Sequence, residues 1–458
     1  MGTNKQQKGG NMKKNNKKTK KEQKVKARLN KQRVFCAISI GLTIGCAIFY
    51  GTRAVSLYLD TKKDKTSDAT LATTLKKDNI NKNNFKNING TYYFTSKEAN
   101  NYIEYSGLSW RIVKVNSDST VTLVSEDTLT DLAFGKNKEY DTSYINKWLN
   151  KEGETKYTGI LETLLNNKDT YLTNVTTCTD VVDNPTNEAC ENKYTDKLIG
   201  SLDLTDYINT GADKGFTSND QTFYLSNTNQ DGEIWYVNSE NKVGTSDGED
   251  IYGLKATINL KNNIELTGGK GTEKDPYKIE KETGMLGSYV NLDGDTWRAI
   301  NYDDKTVTLV LESTLSEAQP YASSGYKYDD QKYGTAAYYL NTTYLNNLSY
   351  KDIINETTYS NGYYGSDNDY NYIDTLTGKI KTKVALPTIG DIMYKNDNDY
   401  ATMTGVGKNA NLIYIAGTSG EYYTDNSKKE NNLLPVINID RDNLTSGKGT
   451  KASPYERK

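Results

Sequence analysis

The longest uninterrupted apolar stretch in the chain is residues 34–52, VFCAISIGLTIGCAIFYGT, 19 residues without a charge. At a rise of roughly 1.5 Å per residue it nearly crosses a hydrocarbon core of ~30 Å, so the pattern predicts one membrane-spanning helix. Thirteen basic side chains and a single acid, Glu22, precede it, whereas only Arg53 follows before Lys62. This asymmetry predicts an uncleaved signal-anchor, with a disordered basic tail, residues 1–33, in the cytoplasm and the remainder outside the cell. A cleaved secretory signal is the competing reading, but no Ala-x-Ala site closes the run, and Thr43-Ile44-Gly45 before Cys46 does not fit a lipoprotein cleavage site. Gly41 and Gly45 form a G-x-x-x-G face through which two such helices would pair as a weak homodimer.

Residues 53–88 are Lys, Asn, Asp and Thr with few apolar positions, which predicts a flexible stalk with local helix near residues 71–75. Beyond it the β-forming pattern takes over. The runs beginning at Val121 (VTLV) and Val307 (VTLVL) are strongly β-forming, and Asn116-Ser-Asp-Ser and Asn301-Tyr-Asp-Asp supply turns before them, so each predicts a hairpin. Over 143–150, Tyr144 and Trp148, and Ile145 and Leu149, lie four apart, predicting a helix with Asp141 as N-cap; residues 336–345 are its counterpart. Short helices are expected at 161–165, at 204–208, and after Pro387 through Asp391. Strands are expected at 221–225, 233–237 and 254–260. The expected fold class is α+β.

The chain also repeats itself. NYIEYSGLSWR at 101–111 matches SYVNLDGDTWR at 288–298, and GKGTEKDPY at 269–277 matches GKGTKASPY at 447–455. The offset drifts from 187 to 178 residues, so short insertions account for the difference. Two homologous mixed domains follow, 89–281 and 282–458, each opening with a hairpin and closing with strands. Trp110 and Trp297 are expected beneath their hairpins as core, with Arg111 and Arg298 paired to Glu126 and Glu312. Gly269, Gly271, Gly447 and Gly449 lack the Gly-x-x-x-x-Gly-Lys-Ser/Thr frame of a phosphate loop. They predict tight closing turns, with Pro276 and Pro454 fixing the chain and Tyr277 and Tyr455 plugging the domain.

Charge and composition narrow the chemistry. The absence of His excludes Ser-His-Asp and Cys-His nucleophile systems and His-ligated zinc. Beyond residue 33 the chain carries 44 basic against 58 acidic side chains, the wrong sign for specific nucleic-acid binding. Cys36 and Cys46 lie in the apolar run, while Cys178 and Cys190 can close a surface loop as a disulfide. Asp293-Gly-Asp295, Asp367-Asn-Asp369 and Asp397-Asn-Asp399 lack the full calcium loop and read as solvated turns, so neither metal nor cofactor is expected. Leu386-Pro-Thr-Ile-Gly390 is not a wall-sorting signal, because no apolar tail follows. Tyr359, Tyr363, Tyr364, Tyr370 and Tyr372 form the Tyr-rich segment best suited to stacking against a ligand; an insertion packed by its own aromatics is the alternative.

The paired Trp-Arg hairpins, the helical YINKWLN and the two GKGT…PY closures resemble tandem exported domains of unknown function found in Gram-positive and related low-GC bacteria. The order of hairpin, helices and closing strands also resembles the C-type-lectin-like superfold, although that superfold's usual disulfide cysteines and calcium-binding words are absent. The resemblance implies surface recognition rather than catalysis. The expectation is therefore a membrane-anchored bacterial surface protein, single-pass, binding a glycan or protein. A cell-envelope hydrolase using Asp/Glu carboxylates and a passive envelope scaffold are the alternatives.

Overall fold

The β-branched and aromatic runs beyond residue 84, Val121–Ser125 and Thr306–Leu311 among them, form strands. The structure is a computed structural model that describes residues 70–79, 84–135, 138–150, 159–185, 190–194, 196–217, 220–280, 284–364, 378–407, 411–418, 421–445 and 447–458. Within it, 37% of residues are strand and 16% helix, which corrects the α+β expectation to a mostly β architecture. The predicted helices at Tyr144–Leu149, Ile160–Leu164 and Leu204–Asn209 are present but only five or six residues long. They plug the ends of sheets rather than forming a layer of their own. Among the described residues no helix is long and apolar enough to cross a membrane, and the span expected at 34–52, with Gly41 and Gly45, lies outside them.

The two matched segments build the same sheet. Strands Tyr102–Tyr105, Leu108–Val115 and Val121–Ser125 run antiparallel in order, then pair with Ala256–Leu260. Tyr289–Leu292, Asp295–Tyr302 and Thr306–Leu311 do the same with Val436–Asp440. Both copies carry one extra residue at the same place. The register shifts between Ile112 and Lys114 in one, and between Ala299 and Asn301 in the other, a bulge that turns Val113 and Ile300 inward. The GKGT…PY words end as short strands laid parallel on each opening strand, Tyr277 opposite Ile103 and Tyr455 opposite Val290.

Two further large sheets, with three two-stranded ribbons, complete the architecture among the described residues. Asp131–Leu132, Tyr252–Leu254, Phe223–Thr228, Ile234–Val237 and Val243–Ser246 form one; Tyr363–Tyr364, Tyr400–Val406, Leu412–Ala416 and Tyr422–Asn426 form the other. Residues 69–458 are one compact unit. Its first core takes in Leu286, Ile389 and Ile392, so the interiors of the two copies interleave.

Three local expectations need correction. Helix Leu71–Asn79 buries Leu71, Ala72 and Leu75, and the Leu71 N–H donates to the Ile264 carbonyl at 2.7 Å, so folded structure starts within the segment expected to be stalk. The helix at Tyr144–Leu149 is capped by Ser143, whose hydroxyl accepts from the Asn146 N–H at 3.0 Å, rather than by Asp141. No helix follows Pro387. The Asp391 carboxylate instead accepts from both the backbone and hydroxyl of Thr388, closing a turn.

Candidate functional site

The conserved words of the repeat serve structure. Trp110 and Trp297 are fully buried; their indoles donate to the Tyr105 carbonyl and to the Tyr350 hydroxyl respectively. Arg111 lies 3.4 Å from Glu126, as its pattern predicts, and its guanidinium sits 3.8 Å from the Tyr102 ring and 4.7 Å from Phe216. Arg298 departs from the expectation, because among the described residues no carboxylate, Glu312 included, comes within ion-pair distance. Its guanidinium instead lies 3.6 Å from Tyr394 and 5.1 Å from Tyr289, and its Nε donates to the Gly287 carbonyl at 3.4 Å. Tyr289 is the counterpart of Tyr102, so an aromatic face on Arg is what the two copies share.

At the closing turns, a Cβ on Gly271 would fall 2.3 Å from the Tyr277 ring, and one on Gly449 2.9 Å from the Tyr455 ring. These glycines let the Pro276-Tyr277 and Pro454-Tyr455 ends press in. Cys178 and Cys190 form a disulfide across a separation of 12 residues. Asp180 beside them accepts from the Glu191 and Asn192 N–H groups, which fastens the same loop.

Tyr359 and Tyr363 are half-buried and packed against the second core; Tyr363 stacks edge-on with Tyr326 at 5.4 Å. Tyr364 is in a short strand beside Val406, and Tyr370 and Tyr372 lie outside the described residues.

Two concavities among the described residues bring polar and charged side chains together. A trough of about 570 Å³ on the first copy is rich in hydroxyl and amide side chains around Lys114, Asp203 and Asp206. The three central charges are already engaged. Lys114 Nζ contacts both Asp206 oxygens at 2.6 and 2.7 Å, and Asp203 accepts from the Asp206 and Cys178 N–H groups while capping helix Leu204–Asn209. Burial, then the neighbouring Asp206, raises the Asp203 carboxyl.

The second concavity, about 290 Å³, opens where the two copies meet. Four carboxylates line it, Asp127, Asp131, Asp220 and Glu421, with Lys395 exposed at its rim. Asp131 stands on the outermost strand of the first copy's second sheet, opposite Gly253. A Cβ on Gly253 would fall 2.4 Å from Thr128 and 2.7 Å from the Thr222 carbonyl, so the glycine allows this strand and its neighbour to close beside the cleft. Glu421 comes from the other copy, just before strand Tyr422–Asn426, and accepts a short hydrogen bond from the Thr222 hydroxyl. The Met393 N–H donates to the Leu129 carbonyl at 2.9 Å, joining the two walls.

Asp131 is 4% exposed, and among the described residues no donor reaches its carboxylate. Burial, and then Glu421, pushes that carboxyl well above the usual carboxylate range. Thr130, 1% exposed and lining the same cleft, has a buried hydroxyl without a hydrogen-bond partner. A buried polar group left unpaired costs roughly 1–3 kcal/mol, so the Thr130 hydroxyl, in that condition beside the buried Asp131 carboxyl, marks a place where a ligand has something to complete.

Neither Asp131 nor Glu421 stands out in the sequence. The one available signal is Leu129-Thr-Asp-Leu-Ala-Phe134, where an acid interrupts an otherwise apolar strand. Comparison of the chain with protein-family models, with curated proteins and with solved structures finds no match.

Proposed function

We propose that this chain is a bacterial surface-recognition protein. Residues 34–52 hold it in the cell membrane with the N-terminus cytoplasmic, the folded part lies outside, and a glycan or protein determinant binds in the cleft between the copies. The observation that carries the reading is the buried, unpaired Thr130 hydroxyl beside the buried Asp131 carboxyl, in a cleft whose other wall comes from the second copy. The Cys178–Cys190 disulfide supports exposure to an oxidising compartment. At about 290 Å³ the cleft is near the lower end of ligand-site sizes, suited to one ring or one side chain of a larger partner.

The test is binding of the full-length protein, in detergent micelles, to arrays of cell-envelope glycans and peptides, with protease digestion of intact cells to establish sidedness. Specific binding, and cleavage of the folded part without lysis, are the expected results. Protection of that part until cells are lysed would overturn the surface placement.

One observation favours a second reading. A carboxyl of raised proton affinity, Asp131, near a second one, Glu421, is the arrangement of an acid/base hydrolase. Release of soluble fragments from envelope glycans, lost on changing either residue, distinguishes it from binding alone.

A further inference from the structure

We propose that the group this cleft takes is a primary ammonium, carried by the ligand and held between Asp131, Thr130 and Glu421. The inference rests on the recognition reading above and specifies its ligand.

The lining determines the sign. Asp131 and Glu421 line the cleft, Asp127 and Asp220 stand exposed at its edge, and the one cation among its described lining residues, Lys395, is exposed as well. A neutral hydroxyl could donate to Asp131, but it would bring no counter-charge to this acidic lining. An anion would add to it. A cation that also donates hydrogen bonds answers both conditions, and an ammonium offers three donors in a compact head.

The geometry argues against a metal ion. A hard cation such as calcium needs six to eight oxygens at about 2.3–2.6 Å. Among the described residues, the only three metal-ligating groups with ligand atoms within 4.8 Å of one another are Cys178, Asp180 and Cys190, two of which are spent in the disulfide. Among the described residues, no three carboxylates of the cleft have oxygens within 4.8 Å of one another. An ammonium asks for less, because neutral acceptors such as a hydroxyl can receive part of its donors.

The acceptors are placed to receive it. Asp131 and Thr130 are adjacent in the chain and both buried, the Thr130 hydroxyl has no partner, and Glu421 has one oxygen engaged by Thr222. Tyr394 and Tyr400, which also line the cleft, supply aromatic surface for the stem that carries the ammonium.

The experiment is calorimetric titration of the full-length protein in detergent micelles with two amines and their acetylated forms: glucosamine against N-acetylglucosamine, and Nα-acetyl-lysine amide against the same compound acetylated at Nε. At least one free amine is expected to bind at least tenfold more tightly than its acetylated form, and the amine that binds identifies the source of the ammonium. Asp131→Asn, which keeps the shape but not the charge, should weaken binding at least tenfold. Thr130→Val should weaken it less and serves if the first variant does not fold. Equal binding of acetylated and free forms, no binding of either amine, or full affinity in Asp131→Asn overturns the proposal. If an uncharged determinant binds instead and Thr418→Trp at the exposed rim blocks it, the ammonium inference fails while the recognition reading stands. If nothing tested enters the cleft, both fail.

Discussion

The indole N–H of Trp148 donates to the carbonyl oxygen of Gly390, 2.8 Å away and 242 residues later. This bond runs from a helix of the first copy to a turn of the second. The Tyr302 hydroxyl makes a reciprocal contact, donating to the Leu164 carbonyl at 3.2 Å. Together with the shared burial of Leu286, Ile389 and Ile392, these contacts fix the copies against one another and set the shape of the cleft between them.

Trp148→Phe retains most of the buried ring but removes the donor and leaves the Gly390 carbonyl unpaired. The expected loss is about 1–2 kcal/mol of unfolding free energy. Denaturant titration of wild type and variant measures it. An unchanged midpoint would show that the inter-copy bond contributes nothing.

Gly107 turns between the first two strands of the opening sheet at φ +73°, and a Cβ there would lie 1.7 Å from the Leu286 carbonyl oxygen. Both the backbone conformation and the contact exclude a side chain. Gly107→Ala should therefore destabilise by on the order of 2 kcal/mol or more, and more than Gly294→Ala at the matched turn of the second copy. There φ is also positive, +109°, but nothing lies within 4 Å. Parallel thermal melts of the two variants separate the effect of crowding from that of backbone conformation.

Opening the Cys178–Cys190 bridge frees a loop of 12-residue separation. The loop-entropy estimate gives a loss of about 2–3 kcal/mol. Reductant, or Cys178→Ser with Cys190→Ser, should lower the unfolding midpoint accordingly, and non-reducing peptide mapping of the purified protein should recover the cross-link.

Glu280, at the end of the first copy, accepts from the Ser106 N–H at 2.6 Å and from the Asn166 amide at 3.4 Å. Burial pushes its carboxyl up to about 7 despite those bonds. Because the folded state holds the proton more tightly than the unfolded chain, the contribution to stability is present below the unfolded value and lost as pH rises through the folded one. Between about pH 4.5 and 7 this side chain should lower stability by on the order of 1–2 kcal/mol, allowing for partial solvent contact. Glu280→Gln should flatten that part of the stability–pH profile. A variant whose profile is as steep as wild type contradicts the assignment.

Asp131→Asn replaces a buried carboxyl, whose charged form burial disfavours, with a neutral side chain of the same shape. In the absence of ligand it should hold or raise the melting temperature, the more so at the higher pH, the opposite of what a structural ion pair would give. Differential scanning calorimetry at pH 6 and pH 8 makes the comparison.

The parts of this fold legible in the sequence are those written twice. Trp110 with Trp297, and the GKGT…PY closures, occupy matching places in two sheets, because local pattern and turn chemistry fix them. The disulfide was legible because only two cysteines lie outside the apolar run. Arg298 was misread because Tyr394, 96 positions on, replaces the carboxylate that its counterpart uses. The cleft was not legible at all. Its walls come from residues 127–131, 220–221 and 393–421, brought together by packing between copies, and Asp131 lies within a strand that reads as core.

The most direct test of the central claim is equilibrium binding of the strongest array ligand to full-length wild type and to Thr418→Trp, whose side chain would fill the mouth of the cleft from an exposed position. Affinity at least tenfold weaker in Thr418→Trp, with an unchanged melting temperature, is the predicted result. Equal affinity in the two proteins would place the ligand elsewhere and contradict the account.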